Sequence, residues 1–208
     1  DKPHKNKSLV IIPSKLQGVE VGEKIDKLGL RTSDTAPVYF DNVRIPMRYR
    51  IGEEGAGFSM QMQQFQEERI FLAASALVIL DDCIEQTISF CKERKAFGKR
   101  VLDNQAIQFR LAELQIEIES LRSLIYRACE EFVSGKDMTY LASMAKFKCG
   151  KLIREVSDSC LQYWGGMGFT WENPLSKVYR DGRLMSIGGG TDEIMLSIIC
   201  KHLGMTKK

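Results

Sequence analysis

The sequence is poor in histidine. It has two, His4 and His202, both near the chain ends. So few imidazoles exclude a histidine-rich metal centre and a histidine-based nucleophilic triad. Its six cysteines, at 83, 91, 129, 149, 160 and 200, form no Cys-x-x-Cys pair. Most fall on helical patterns, where cysteine acts as a small hydrophobe, so a reducing compartment and no disulfide framework are expected. No apolar run approaches a membrane span, and no signal peptide is visible. The net charge is only +3, which demands neither nucleic acid nor a membrane surface as partner. Lys2, Lys5, Lys7, Lys207 and Lys208 read as solvated tails. There is no repeat of fixed period and no low-complexity tract. The first residue is not Met, so either a removed leader or a preceding N-terminal part is expected.

What remains is ordinary globular composition. Of 208 residues, 44% are hydrophobic and 27% charged, enough for a sizeable core in one domain, or one and a fraction.

Two architectural parts follow from the pattern, mainly α overall. Residues 1–50 read as strands: Ser8–Ile12 ended by Pro13, then Gly18–Val21 and Val38–Val43, with Gly, Pro and Asp turns between them. So few strands leave open edges and an uncovered face, and call for more strands or for something to pack against. From about Gly57 the period becomes helical. Phe58, Met62, Phe65, Leu72, Ala76, Ile79 and Cys83 step by threes and fours. Ile107, Leu111, Leu114, Ile118, Leu121 and Ile125 form a second stripe, and Leu141, Ala145, Leu152, Val156 and Tyr163 a third. Three helices of roughly 25–30 residues, plus a shorter one after Thr191, predict an up-down helical bundle over residues 51–208. Lys95–Asn104 and Ser134–Asp137 are the connections.

Three segments exceed what a plain bundle needs. Arg94-Lys95-Ala96-Phe97-Gly98-Lys99, followed by Asn104-Gln105, is a basic loop suited to a phosphate, with a planar guanidinium and close backbone approach at glycine. The plainer reading is a solvated helix end matched to its dipole. Gln162-Tyr163-Trp164-Gly165-Gly166-Met167-Gly168-Phe169 sets glycines among large aromatics, as for something flat; a glycine-rich helix terminus is the plainer reading. Gly188-Gly189-Gly190-Thr191-Asp192-Glu193-Ile194 is a flexible run into a Thr N-cap with acids in the first turn. Free N–H groups there can bind an anion or polarise a carbonyl. The segment lacks the lysine of a P-loop.

Taken in order, these segments resemble the acyl-CoA dehydrogenases. The resemblance is carried by Arg-Lys-x-Phe-Gly-Lys with Gln105, Gln-x-x-Gly-Gly-x-Gly-Phe, Tyr-Arg-Asp-Gly-Arg at 179–183 and Gly-Gly-Thr-x-Glu-Ile at 189–194. Leu28-Gly29-Leu30-Arg31-x-x-Asp34-Thr35, Phe40 through Pro46, and Gly52-Glu53-Glu54-Gly55-x-Gly57-Phe58 extend it over about Ser8 to Leu203. It implies part of that family's middle β-domain at 1–50 and its C-terminal helical bundle domain at 51–208.

The resemblance also implies a chemistry. A carboxylate takes the α-proton of an acyl-CoA thioester while the β-hydrogen leaves as hydride to FAD. The usual base stands directly before Gly-Thr, where this chain has Gly189, and glycine cannot take a proton. A subset resembling the long-chain and isovaleryl enzymes carries the base on the first bundle helix, in a Glu-Arg pair. Gln66-Glu67-Glu68-Arg69 matches it, with Glu68 as base, Arg69 supporting the substrate region and Gln66 beside them. A carboxylate amid Phe65, Ile70 and Leu72 would have its pKa raised once the acyl chain excludes water. Glu67 is the alternative base, though about 100° of helix separates neighbours. Read without the family, both glutamates are surface acids of an amphipathic helix.

By the same resemblance the Gly189 N–H helps polarise the thioester carbonyl, and Gly188, where relatives carry an aromatic, implies a wider substrate pocket. Arg94, Phe97 and Gln105 match positions that reach FAD across a subunit interface. Gln162, Gly165 and Gly166 match the adenosine end, and Thr191 and Glu193 the phosphate side. A homodimer or homotetramer, an electron-transferring flavoprotein as acceptor, and the mitochondrial matrix (the cytoplasm for a bacterial member) complete the expectation. The alternative is a shortened, catalytically silent relative acting as an oligomerisation or interaction module.

Overall fold

The computed structural model describes residues 4–206; Lys2, Lys207 and Lys208, read above as tails, lie outside them. The chain forms two compact units, Asp1–Phe65 and Gln66–Lys208.

In the first unit, four short strands pair two by two. β1 (Leu9–Val10) is antiparallel to β4 (Arg50–Ile51), with Leu9 opposite Ile51. β2 (Val19–Val21) is antiparallel to β3 (Val38–Phe40), with Val19 opposite Phe40. All three residues of β3 are exposed, Tyr39 and Phe40 included. The expected strands are therefore present but shorter than their apolar runs. β4 was not anticipated, because two residues carry no periodicity. The Gly57 N–H donates to the Lys7 carbonyl at 2.8 Å, and a Cβ at Gly57 would meet Ser8 and Leu9 backbone at 2.8 Å. The first turns of α1 (Gly57–Glu93) thus group with the strands, and the boundary between units falls inside that helix.

In the second unit, α1 is followed by α2 (Gln105–Val133), α3 (Thr139–Trp164), α4 (Pro174–Gly182) and α5 (Asp192–His202). The long helices alternate in direction. Arg110 pairs with Glu155 at 2.6 Å, and Lys148 with Glu117, which sets α2 antiparallel to α3. Arg122 on α2 pairs with Asp81 on α1 at 2.7 Å. The Trp164 indole N–H donates to the Thr87 hydroxyl at 3.3 Å and its ring stacks on Phe90 at 4.2 Å, so the C-terminal ends of α1 and α3 meet. The second and third stripes form the core as expected, except that Ile107 and Tyr163 only pack against its edge. The first stripe lies partly in the core, with Ala76 and Cys83 buried as expected. The buried face of α1 centres on Ile70, Ala73, Leu77, Leu80 and Ile84, while Leu72 and Ile79 are partly buried and Phe71 and Val78 exposed. α1 runs 37 residues, longer than expected, so a drifting 3.6-residue period moves the inward face along it.

α4 was missed because only nine residues, between Pro174 and Gly182, form it. Its start is explicit: the Asn173 side chain accepts the Leu175 N–H at 2.8 Å and Pro174 opens the first turn. The expected loop at 95–100 is a hairpin, β5 (Lys95–Ala96) against β6 (Lys99–Arg100). All six cysteines are free. Among the described residues no helix is long and apolar enough to cross a membrane, and no metal-binding group of His, Cys, Asp or Glu occurs.

Candidate active site

The structure sorts the residues singled out above into two clusters. The first surrounds the 188–190 turn. Gly189 and Gly190 have φ of 66° and 103°, in the left-handed region that glycine occupies without penalty. A Cβ on Gly190 would lie 2.8 Å from Met195 Cε, whereas one on Gly189 meets nothing within 4 Å, so Gly189 borders open space. The Gly188 N–H donates to the Leu184 carbonyl at 2.8 Å. Thr191 caps α5, its hydroxyl accepting the Ile194 N–H at 3.4 Å. The Glu193 carboxyl is held below its ordinary range by its own backbone N–H and then by the Thr191 hydroxyl.

Two buried cations reach this turn. Arg69, from α1, donates through Nε to the Gly189 carbonyl at 3.1 Å. Burial pushes its pKa down, and the neighbouring Glu68 charge opposes that shift. Lys146, from α3, is fully buried and donates through Nζ to the Gly190 carbonyl. Burial pushes its pKa down; Asp192 is the largest opposing charge. Glu67 and Glu68 are both exposed and Gln66 is half-buried. Glu68 is thus exposed, beside the arginine that ties α1 to the turn.

The second cluster lies at the end of the bundle where α1 and α3 finish. Arg94 follows α1 and is exposed. Phe97 and Gly98 form the two-residue hairpin tip with φ of 52° and 79°, the combination a type I′ turn requires. A phenylalanine at positive φ is strained, and its ring is fully exposed. Gln105 opens α2 and is also exposed. Gln162, Gly165 and Gly168 line a half-open cleft of about 590 Å³ with Phe169, Trp171 and Arg180; Gly166 is exposed nearby. Arg180 lies 4.1 Å from the centre of the Trp171 ring and donates to Ser176 Oγ at 3.1 Å. The cleft thus joins aromatic walls and glycine backbone with one cation, Arg180, and one acid, Asp158.

Sequence reasoning missed Lys146, Trp171 and Arg180. Lys146 left no local signal, because a lysine one position after Ala145 reads as the polar flank of the stripe. The Trp171–Arg180 pair depends on α4, which was not anticipated.

Residues 55–204 match the family model described as "Acyl-CoA dehydrogenase, C-terminal domain". The chain belongs to this family. It is 35% identical over 198 residues to the bovine (Bos taurus) mitochondrial short/branched chain specific acyl-CoA dehydrogenase, covering 95% of this chain and 46% of that protein. It is 36% identical over 196 residues to the mouse (Mus musculus) mitochondrial long-chain specific enzyme, covering 94% and 46%. The solved acyl-CoA dehydrogenase of Geobacillus kaustophilus superposes with a TM-score of 0.94 at 36% identity, covering 97% of this chain and 53% of that one. The chain thus spans about half the length of the curated relatives it matches.

Proposed function

We propose that this chain is the bundle-bearing part of an FAD-dependent acyl-CoA dehydrogenase that converts an acyl-CoA thioester to its trans-2-enoyl-CoA, with Glu68 as base. Residues 1–50 then belong to the middle β-domain and 51–208 to the C-terminal domain. The observation that carries the reading is Gly189, which offers no carboxylate and borders open space, held by the arginine next to Glu68.

Glu68 accepts the α-proton of the thioester. Its position at the solvent face leaves it within reach of an incoming acyl chain. The Gly189 N–H donates to the thioester oxygen, where negative charge develops as the α-proton departs. Gln66, Arg69 and Gly188 border the substrate. Gly188 leaves width for a branch or a bulky chain. A bound FAD would supply the acceptor for the β-hydrogen, which leaves as hydride.

The two clusters explain how the cofactor would be held. Lys146, beside the turn, and Gln162 are 16 residues apart on α3, about 24 Å along its axis. Two sites this far apart in one chain suit a dimer in which each FAD takes one cluster from each subunit. Arg94, Phe97, Gln105, Gln162, Gly165 and Gly166 would serve the partner's cofactor, and Thr191 and Glu193 the chain's own. A homodimer or homotetramer follows, with an electron-transferring flavoprotein as acceptor. The mammalian relatives are mitochondrial by name, which favours the matrix for an animal protein and the cytoplasm for a bacterial one. Incubating the complete flavin-loaded protein with straight and branched acyl-CoAs and an artificial acceptor tests the reading. Enoyl-CoA production supports it, and a protein that holds flavin yet forms no enoyl-CoA from any of them refutes it.

A further inference from the structure

The Gly188–Gly190 run has no side chains to hold it, and glycine loses more backbone freedom on ordering than any other residue. A thioester oxygen nevertheless needs its donor fixed before it arrives. We propose that Lys146 is a positioning residue for this turn: with Arg69 it draws two successive carbonyls inward and so fixes which way the turn's amide N–H groups face. The inference rests on the role given to Gly189 above.

Peptide planarity supplies the mechanism. In a trans peptide the C=O and N–H point in opposite directions. Arg69 holds the Gly189 carbonyl, so the Gly190 N–H is directed away from Arg69. Lys146 holds the Gly190 carbonyl, so the Thr191 N–H is directed away from Lys146. With the peptides on its C-terminal side fixed and the Gly188 N–H taken by Leu184, the Gly189 N–H has little freedom left.

Two further residues of α3 hold the segments that flank the turn. Lys146, Gly150 and Arg154 stand four residues apart, on one face. At Gly150 a Cβ would lie 2.8 Å from Ser186 Oγ and 3.0 Å from the Met185 carbonyl, so only glycine lets that segment sit so close. Ser186 Oγ donates to the Gly150 carbonyl at 3.0 Å, and Arg154 pairs with Asp192 at 3.2 Å. Packing alone would not choose lysine between Ala145 and Cys149, because burying a charge is costly unless it is paired and hydrogen-bonded. Methionine would fill the same space without that cost.

Amide hydrogen exchange across residues 184–194 tests the proposal, together with turnover of the complete, flavin-loaded protein. Lys146→Met keeps an unbranched apolar chain and removes the donor. Lys146→Gln keeps an uncharged donor. Losing a charge-assisted bond should speed exchange at the turn by about tenfold or more in Lys146→Met, leave α2 unchanged, and lower kcat with little change in KM. Lys146→Gln should fall between Lys146→Met and the parent. Unchanged exchange at the turn in a folded Lys146→Met, or exchange rising equally in α2 and the turn, overturns the proposal. Where Lys146→Met does not fold, Lys146→Gln decides: parent-like exchange at the turn overturns the proposal, and selectively faster exchange there supports it. The exchange arm needs neither flavin nor substrate, so it is read separately from the fate of the Glu68 assignment.

Discussion

Arg69 and Gly189 are 120 residues apart in sequence and joined by one hydrogen bond of 3.1 Å, from the guanidinium Nε to the glycine carbonyl. This bond couples α1, which carries the proposed base, to the turn that carries the proposed amide donor. Its partner glycines differ in what surrounds them. Gly189→Ala should cost on the order of 1–2 kcal/mol, the penalty of a left-handed backbone for an L-residue. Gly190→Ala should cost more, because its φ of 103° lies outside the left-handed well open to an L-residue and its Cβ would also displace the buried Met195 Cε, 2.8 Å away. Chemical denaturation of both variants, followed by helical circular dichroism, measures the difference. Equal losses would contradict the packing described at Gly190.

Arg94→Ala should weaken flavin retention. A charge-assisted contact to pyrophosphate contributes roughly 1.5–3 kcal/mol, and a cofactor shared between subunits makes that loss grow on dilution. Flavin absorbance per protein across a dilution series is the readout. An occupancy that matches the parent at every concentration would remove Arg94 from the cofactor site.

The buried thiols should be inert. Burial pushes Cys83 and Cys149 up to about 12 and Cys160 up to about 11, so almost none is thiolate at pH 8. A disulfide exchange reagent at that pH should label these three only after denaturation. Rapid labelling of any of them in the native protein would contradict the bundle core.

Acid should weaken the bundle. Lys148 beside Glu117, and the Thr139 hydroxyl beside Asp137, hold those carboxyls below their ordinary range. Folded values below unfolded ones mean that the unfolded chain binds more protons. The stabilisation is therefore present above the ordinary carboxylate range, about pH 4, and is lost as pH falls through the lowered values. Both groups are exposed, so solvent screening keeps each contribution small. Melting temperatures from pH 6 downward should fall in Glu117→Gln less steeply than in the parent. Parallel pH curves would show that the Lys148–Glu117 pair contributes nothing.

The bundle was legible because periodicity reports burial directly. Leu111, Leu114, Ile118, Leu121 and Ile125 are all buried on α2 as their spacing requires. On α1 the same reasoning found Ala76 and Cys83 but also chose the half-buried Leu72 and Ile79, since a helix of 37 residues with apolar side chains on several faces fits more than one register. The hairpin at Lys95–Arg100 was hidden because its turn uses Phe97 at positive φ, where asparagine or aspartate is the usual signal. Among candidate site residues, Gly188 through Glu193 announced themselves by composition. Lys146 did not, because no local pattern shows that a helical lysine points inward to a backbone carbonyl in a distant segment.

The central claim is that Glu68 takes the α-proton. The most direct measurement is exchange of that proton with deuterated solvent in flavin-loaded Glu68→Gln, compared with Glu67→Gln. The glutamine is nearly isosteric and leaves FAD and acyl-CoA binding in place while removing the proton acceptor. The account predicts a fall on the order of 10²–10⁴-fold or more in α-proton exchange and in turnover for Glu68→Gln, with Glu67→Gln close to the parent. Near-parental exchange in Glu68→Gln, with the loss appearing in Glu67→Gln instead, would contradict it.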